Sequence, residues 1–235
     1  MSQIKASHFN YKQLLSLTKR IWGRFIWVVT GCPKPTVPLE MVWSHKLLDE
    51  SIPDLIPSGY TLRQVMPNDY KAYFMLLASA GMQQNSEERW LDYWEKIILP
   101  GGFFVIVHDE TKNLVATCLA AHRPSLRHPR GVALGWLGAD PEHKGLQLGR
   151  AVSAAVTAKL IANGYQSIYL ETHDFRLAAI KIYLNLGWTP LVYNKEMQAR
   201  WKLVCEKLEW PFTPDNWQQN NLHMDNKSIG VKHQI

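Results

Sequence analysis

The stretch from Leu134 to Val192 constrains the fold more than any other part of the chain, because its hydrophobic period switches repeatedly between two and 3.6. Val132 to Leu137 reads as a strand, and a turn containing Gly145 and Gly149 follows it. Leu148, Val152, Ala155, Val156 and Leu160 then recur at helical spacing, with Arg150, Ser153, Thr157 and Lys159 between them, and Asn163-Gly164 supplies a stop. Ser167 to Thr172 has strand composition. Asp174 can cap a helix that runs to Leu186 and closes at Gly187, and Trp188 to Tyr193 is one more strand. Alternation of this kind requires helices layered on a sheet.

The upstream half fits the same architecture. Tyr60 to Val65 is strand-like, and Pro67-Asn68 opens a helix through Tyr73, Leu76 and Leu77 that stops near Gly81. Ser86 can cap a second helix with Glu87 and Glu88 in its first turn and Trp90, Trp94 and Ile97 on its buried face. Phe103 to Val107 and Leu114 to Ala121 form a hairpin around Asp109 to Asn113. Downstream, Met197, Trp201, Val204 and Leu208 mark a last amphipathic helix. Three consecutive strands predict an antiparallel meander. The fold class is therefore α/β (α+β), a central mixed, mostly antiparallel sheet with helices on both faces. We expect an N-terminal extension over 1–45, the domain over 46–208, and a polar, disordered tail over 209–235.

Composition narrows the function. With 46% hydrophobic and 20% charged residues in 235, the chain can bury a full core. A formal charge of +6 fits nucleic acid, an anionic membrane surface or a polyanionic small molecule. Only His122 to Arg130 is densely basic, which argues against nucleic acid; this loop is either a solvated turn or a recognition element for an acidic substrate or a ligand phosphate. Cys32, Cys118 and Cys205 are too few and too scattered for a disulfide framework, and they read as half-buried thiols in a reducing cytoplasm. His122, His128, His143 and His173 match no zinc spacing, so no metal is expected. The apolar run Ile21 to Cys32 is too short to span a bilayer, and Arg24 interrupts it; weak peripheral membrane contact stays open.

Asp140 to Arg150 (DPEHKGLQLGR) is a turn between a strand and a helix. Free N–H groups at a helix start, the helix dipole, and the charges of Lys144 and Arg150 together make an anion site. Its spacing resembles the acyl-CoA pyrophosphate loop of the GNAT superfamily, Gln/Arg-x-x-Gly-x-Gly/Ala. Lys144 takes the first position, Gly149 the last, and Gln147 stands in place of the middle glycine. A glutamine there is expected to keep a normal φ and turn its side chain away, or to bond the phosphate. Ala179 to Trp188 (AIKIYLNLGW) resembles the same family's Ala-Ile-x-x-Tyr-x-x-x-Gly-Phe signature, and Arg176 replaces the frequent asparagine before it. The likeness spans Tyr60 to Tyr193.

The resemblance implies an N-acetyltransferase in which a primary amine attacks the thioester of acetyl-CoA directly. It makes Tyr183 the hydrogen-bond or proton donor to the departing thiolate. The cofactor-binding set is Leu137, Ala139, Lys144, Gly145, Gln147, Leu148, Gly149, Arg150 and Arg176, with Leu137 and Ala139 pairing pantetheine through the main chain. A lysine-like ammonium costs roughly 4–5 kcal/mol to deprotonate at pH 7. Glu171, His173 and Asp174, at the end of the next strand, are candidates to take that proton, Glu171 first. We expect a cytoplasmic monomer or homodimer that uses acetyl-CoA, an unidentified amine and no metal. The alternatives are a catalytically inactive GNAT-fold acyl-CoA-binding or interaction module, and a nucleic-acid or membrane-surface binder.

Overall fold

A computed structural model describes residues 37–44, 53–82 and 86–217. The apolar run Ile21 to Cys32, Cys32 itself and residues 218–235 of the expected tail lie outside them. Seven strands make one sheet: β1 (Leu39–Trp43), β2 (Tyr60–Gln64), β3 (Ile98–His108), β4 (Leu114–His122), β5 (Val132–Ala139), β6 (Ile168–Thr172) and β7 (Thr189–Pro190). Their order is β2-β3-β4-β5-β6-β1-β7, and every neighbouring pair is antiparallel except β5 and β6. The expected meander is β3-β4-β5.

The helices are α1 (Tyr70–Ser79), α2 (Glu87–Trp94), α3 (Leu148–Ala162), α4 (Leu177–Asn185) and α5 (Lys195–Leu208). Helix α3 lies against β3, β4 and β5 through Leu148, Val152, Val156 and Leu160, all buried in one apolar cluster that Tyr183 of α4 and Trp201 of α5 join. Its small residues Ala151, Ala154 and Ala155 let it sit close to the sheet. A second cluster packs Tyr73, Phe74 and Leu77 of α1 and Trp90 of α2 against Phe103, Val105 and Leu119. Helices thus cover both faces, as the patterning predicts. Ser86 caps α2 as expected, its hydroxyl accepting from the Arg89 N–H at 3.2 Å.

Five expectations change. Residues 39–43, assigned to the extension, form β1, an interior strand with all five residues buried and pairs to β6 and β7. A five-residue run carrying a glutamate gives little strand signal by itself; tertiary pairing decides it. Asp174 does not cap α4: Arg176 holds the N-cap position, and Asp174 receives two hydrogen bonds from Arg200 at 3.1 and 2.6 Å. The strand expected over Trp188 to Tyr193 shrinks to Thr189–Pro190, where Pro190 has no N–H for a longer ladder. Beyond α5, Trp217 is buried, with its ring centroid 5.4 Å from Phe212 and 6.3 Å from Trp201. The described thiols, Cys118 and Cys205, are fully rather than half buried.

Candidate active site

The site begins where β5 leaves β6. Their parallel pairing covers Val132–Ile168, Ala133–Tyr169 and Leu134–Leu170 and stops there, although β5 continues to Ala139 along β4. The cause is local. The register with β4 slips between Thr117–Gly138 and Leu119–Gly135, and Trp136 in the slip has φ +54°. A bulge with a left-handed residue bends its strand and increases its twist. Leu137 and Ala139, half-buried and exposed, lie on the segment that β6 no longer pairs.

Beyond β5 the chain makes a short 3-10 turn, Pro141–His143, which the Asp140 carboxylate caps by accepting from the Glu142 N–H at 3.0 Å. Lys144 to Gln147 follow as an exposed turn with Gly145 at φ +90°. Gln147 does not keep a normal φ. It takes the left-handed conformation that suits glycine (φ +57°, ψ +19°), its carbonyl accepts the first helical bond from Ala151, and its Oε1 accepts from Arg150 Nη1 at 2.9 Å. The N-cap Gln147 makes no side-chain cap bond, and a helix start directs its first backbone N–H groups out of its end. Gly149 has a packing role too: a Cβ there would sit 3.1 Å from Ile182 Cδ1 of α4. Lys144 in the turn and Arg150 in the first turn of α3 add positive charge at the same helix start.

Tyr183 lies on the α3 side of the sheet, in the buried cluster with Leu148, Val152 and Ile180. Only 5% of it is exposed; burial pushes its phenol well above the usual tyrosine range, Cys118 adds to the rise and Arg176 opposes it. Cys118 lies opposite the bulge, its thiol donating to the Gly135 carbonyl at 3.4 Å, and burial raises that thiol as well. Tyr183 is therefore within electrostatic reach of the point where β5 and β6 part. Arg176 is exposed, with Nη1 3.4 Å from Met82 Sδ, and Met82 presses its methyl against Gly138, where an added Cβ would meet it at 2.8 Å. Arg176 and Met82 thus bridge the ends of the parted strands.

Glu171 stands on the opposite face, the face that carries α1 and α2. Its Oε2 is 3.1 Å from Arg123 Nη1, and the Arg123 guanidinium lies 5.7 Å above Trp94, whose ring meets Trp136 edge-on at 5.4 Å. Beside it, His173 is depressed by burial and by Arg176, while Asp174 is committed to Arg200: burial raises its carboxyl, and the Arg200 hydrogen bonds outweigh that and hold it low. The basic loop is largely exposed, as expected of a solvated turn, but Arg127 and His128 are engaged by Glu40, a partner that sequence reasoning missed. Among the described residues no group of three or more His, Cys, Asp or Glu side chains is placed to hold a metal, and no helix is long and apolar enough to cross a membrane.

The profile of the Acetyltransferase (GNAT) family matches residues 66–188, more than half of the chain. The chain belongs to the GNAT acetyltransferase family. The enzyme class that goes with this family is acyltransferase, with acetyl-CoA as donor. Relatives of this GNAT protein include a mycothiol acetyltransferase of Paenarthrobacter aurescens, 25% identical over 168 residues that cover 64% of this chain and 50% of that one. Another, from Thermobispora bispora, is 28% identical over 151 residues, covering 57% and 48%. The chain spans about half the length of the curated relatives it matches. Among solved structures, a GCN5-related N-acetyltransferase from Sphaerobacter thermophilus aligns with a TM-score of 0.50 at 19% identity, covering 71% of this chain and 52% of that one. At that identity the likeness speaks for the fold alone.

Proposed function

We propose that this GNAT protein moves the acetyl group of acetyl-CoA to a primary amine by direct attack on the thioester. The reading is supported by the end of β5–β6 pairing after Leu134–Leu170, by the electrostatic interaction of Tyr183 with Cys118 beside the bulge, and by the start of α3 after the turn. In this reading the N–H groups of Leu148, Gly149 and Arg150 hold the diphosphate, helped by the Lys144 and Arg150 side chains. Gly145 and Gln147 shape the turn. Main-chain groups of Leu137 and Ala139 pair with pantetheine, and Arg176 covers the slot with Met82.

The amine nitrogen bonds to the carbonyl carbon and the C–S bond breaks. Tyr183 donates its hydrogen bond to the departing sulfur, and Glu171 takes the ammonium proton through water. A raised phenol suits a hydrogen bond better than full proton transfer, since a thiol has a pKa of about 8.5. The activity fits a cytoplasmic protein and calls for no metal or nucleic acid. A second reading is a GNAT-fold acyl-CoA-binding module without turnover; the pairing of Glu171 to Arg123 favours it.

The two are separated by calorimetry with acetyl-CoA and by thiol release with 2-phenylethylamine, spermidine, D-glucosamine, L-lysine and L-serine. Turnover of any of these amines supports the enzyme. Binding without turnover supports the module, and absence of binding sinks both.

A further inference from the structure

A buried carboxylate outside the family-matched segment, Glu40, is bound by side chains inside it, Arg127 and His128. Glu40, the second residue of β1, is 2% exposed in an otherwise apolar strand. Its carboxylate accepts from Arg127 Nε at 2.9 and 3.1 Å and from Arg127 Nη2, and it meets His128 Nε2 at 3.0 Å. Burial alone would raise this carboxyl; the hydrogen bonds of His128 and Arg127 overcome that and hold it below its ordinary value.

The same loop is fixed at further points. The His128 ring stacks on Tyr169 of β6 at 4.1 Å with 13° between planes. Tyr169 donates from its hydroxyl to the Arg123 carbonyl at 2.6 Å. The Arg127 guanidinium lies 4.1 Å above Tyr193. Gly131 closes the loop with no room for a side chain, since a Cβ would sit 2.7 Å from both His128 and Tyr169.

Glu40 and Glu171 are register partners across β1 and β6, so their side chains share a face, and the loop anchored on the first delivers Arg123 to the second. A buried ion pair is often no better for stability than an apolar pair of the same volume; its distinctive yield is a fixed arrangement. We propose that Glu40 is a positioning residue for the acceptor side: by anchoring the Arg123–Gly131 loop it holds Arg123 against Glu171. This rests on the reading of Glu171 as proton acceptor.

Glu40→Gln keeps the side chain's shape and removes its charge. Hydrogen–deuterium exchange on the full chain needs no acceptor and reads the anchor directly. Amides of the Arg123–Gly131 loop should exchange at least about tenfold faster in the variant, while β4 amides stay unchanged. With the best amine of the five above, the amine KM should rise about tenfold while acetyl-CoA affinity stays within about twofold. In an Arg123→Gln background, Glu40→Gln should add less than about twofold to the amine KM, because the two act in series. Unchanged loop exchange overturns the proposal. So do additive effects of the two substitutions, or equal losses of acetyl-CoA affinity and amine KM, which would mark a merely structural role. Arg127→Gln, which removes the cation instead of the anion, repeats the test if Glu40→Gln does not fold. Full activity in Glu171→Gln would remove that residue as proton acceptor while the exchange result still stands for or against the anchor.

Discussion

The two faces of the splayed sheet are built by different means. In the proposed reaction the donor side is a nearly continuous run, from the bulge at Trp136 through the turn at Lys144–Gln147 to the start of α3, and the groups assigned to it are mostly main chain. The acceptor side gathers Glu40, Trp94, Arg123, Arg127, His128, Tyr169, Glu171 and Tyr193 from distant segments, and its working groups are charged or aromatic side chains. Main-chain donors need only a backbone path, so the donor side tolerates Gln147 where glycine is usual. Matched side-chain charges need every partner, so the acceptor side should tolerate little.

The sharpest test of the donor side is Tyr183→Phe. We expect turnover to fall by about 10²-fold, some 2.7 kcal/mol of activation free energy, with acetyl-CoA affinity within about twofold in calorimetry. Unchanged turnover would remove Tyr183 from the reaction. The corresponding acceptor-side test is Gly131→Ala, which drives a methyl into His128 and Tyr169. Overpacking of this kind costs about 1–3 kcal/mol, readable as a lower denaturant midpoint with an unchanged slope.

A smaller effect is expected from acid. The Glu40 carboxyl is held below its unfolded value, so its contribution is complete above the ordinary glutamate range, about 4.3, and is lost as pH falls through the lowered folded value. Wild-type stability should therefore drop more steeply than that of Glu40→Gln below about pH 4, where the two curves converge. Parallel curves in urea titrations across pH 3–7 would break the claim that Glu40 is ionised and paired.

The smallest effect belongs again to the donor side. Gln147→Gly removes a left-handed penalty of roughly 1 kcal/mol but also the bond to Arg150, so stability should rise by about 0.5 kcal/mol and acetyl-CoA affinity should stay within about twofold. A large loss of affinity would show that the glutamine side chain, and not the backbone, serves the donor site.

Legibility followed the same division. The donor side could be read in advance because Leu148, Val152, Val156 and Leu160 carry a helical period, and because a turn with Gly145 between a strand and a helix has few other conformations. The acceptor side could not. Glu40 sits in a segment whose strand character comes only from pairing with Tyr169, Leu170 and Glu171 far along the chain, and nothing local links it to Arg127. Asp174 has every local mark of a helix cap, yet Arg200 claims it from α5. A lone glutamate and a basic loop look like ordinary surface until folding brings them together.

The sequence by itself determined the mixed sheet, the three-strand meander, the layering of helices on both faces and the turn before α3, because period and turn chemistry act over a few neighbouring residues. Tertiary structure decided that β1 enters the sheet between β6 and β7, that Gln147 takes a left-handed conformation, and that the basic loop closes on a buried carboxylate. These outcomes depend on which distant surfaces meet. A charge as costly to bury as Glu40 can settle inside the protein only once Arg127 and His128 have arrived beside it.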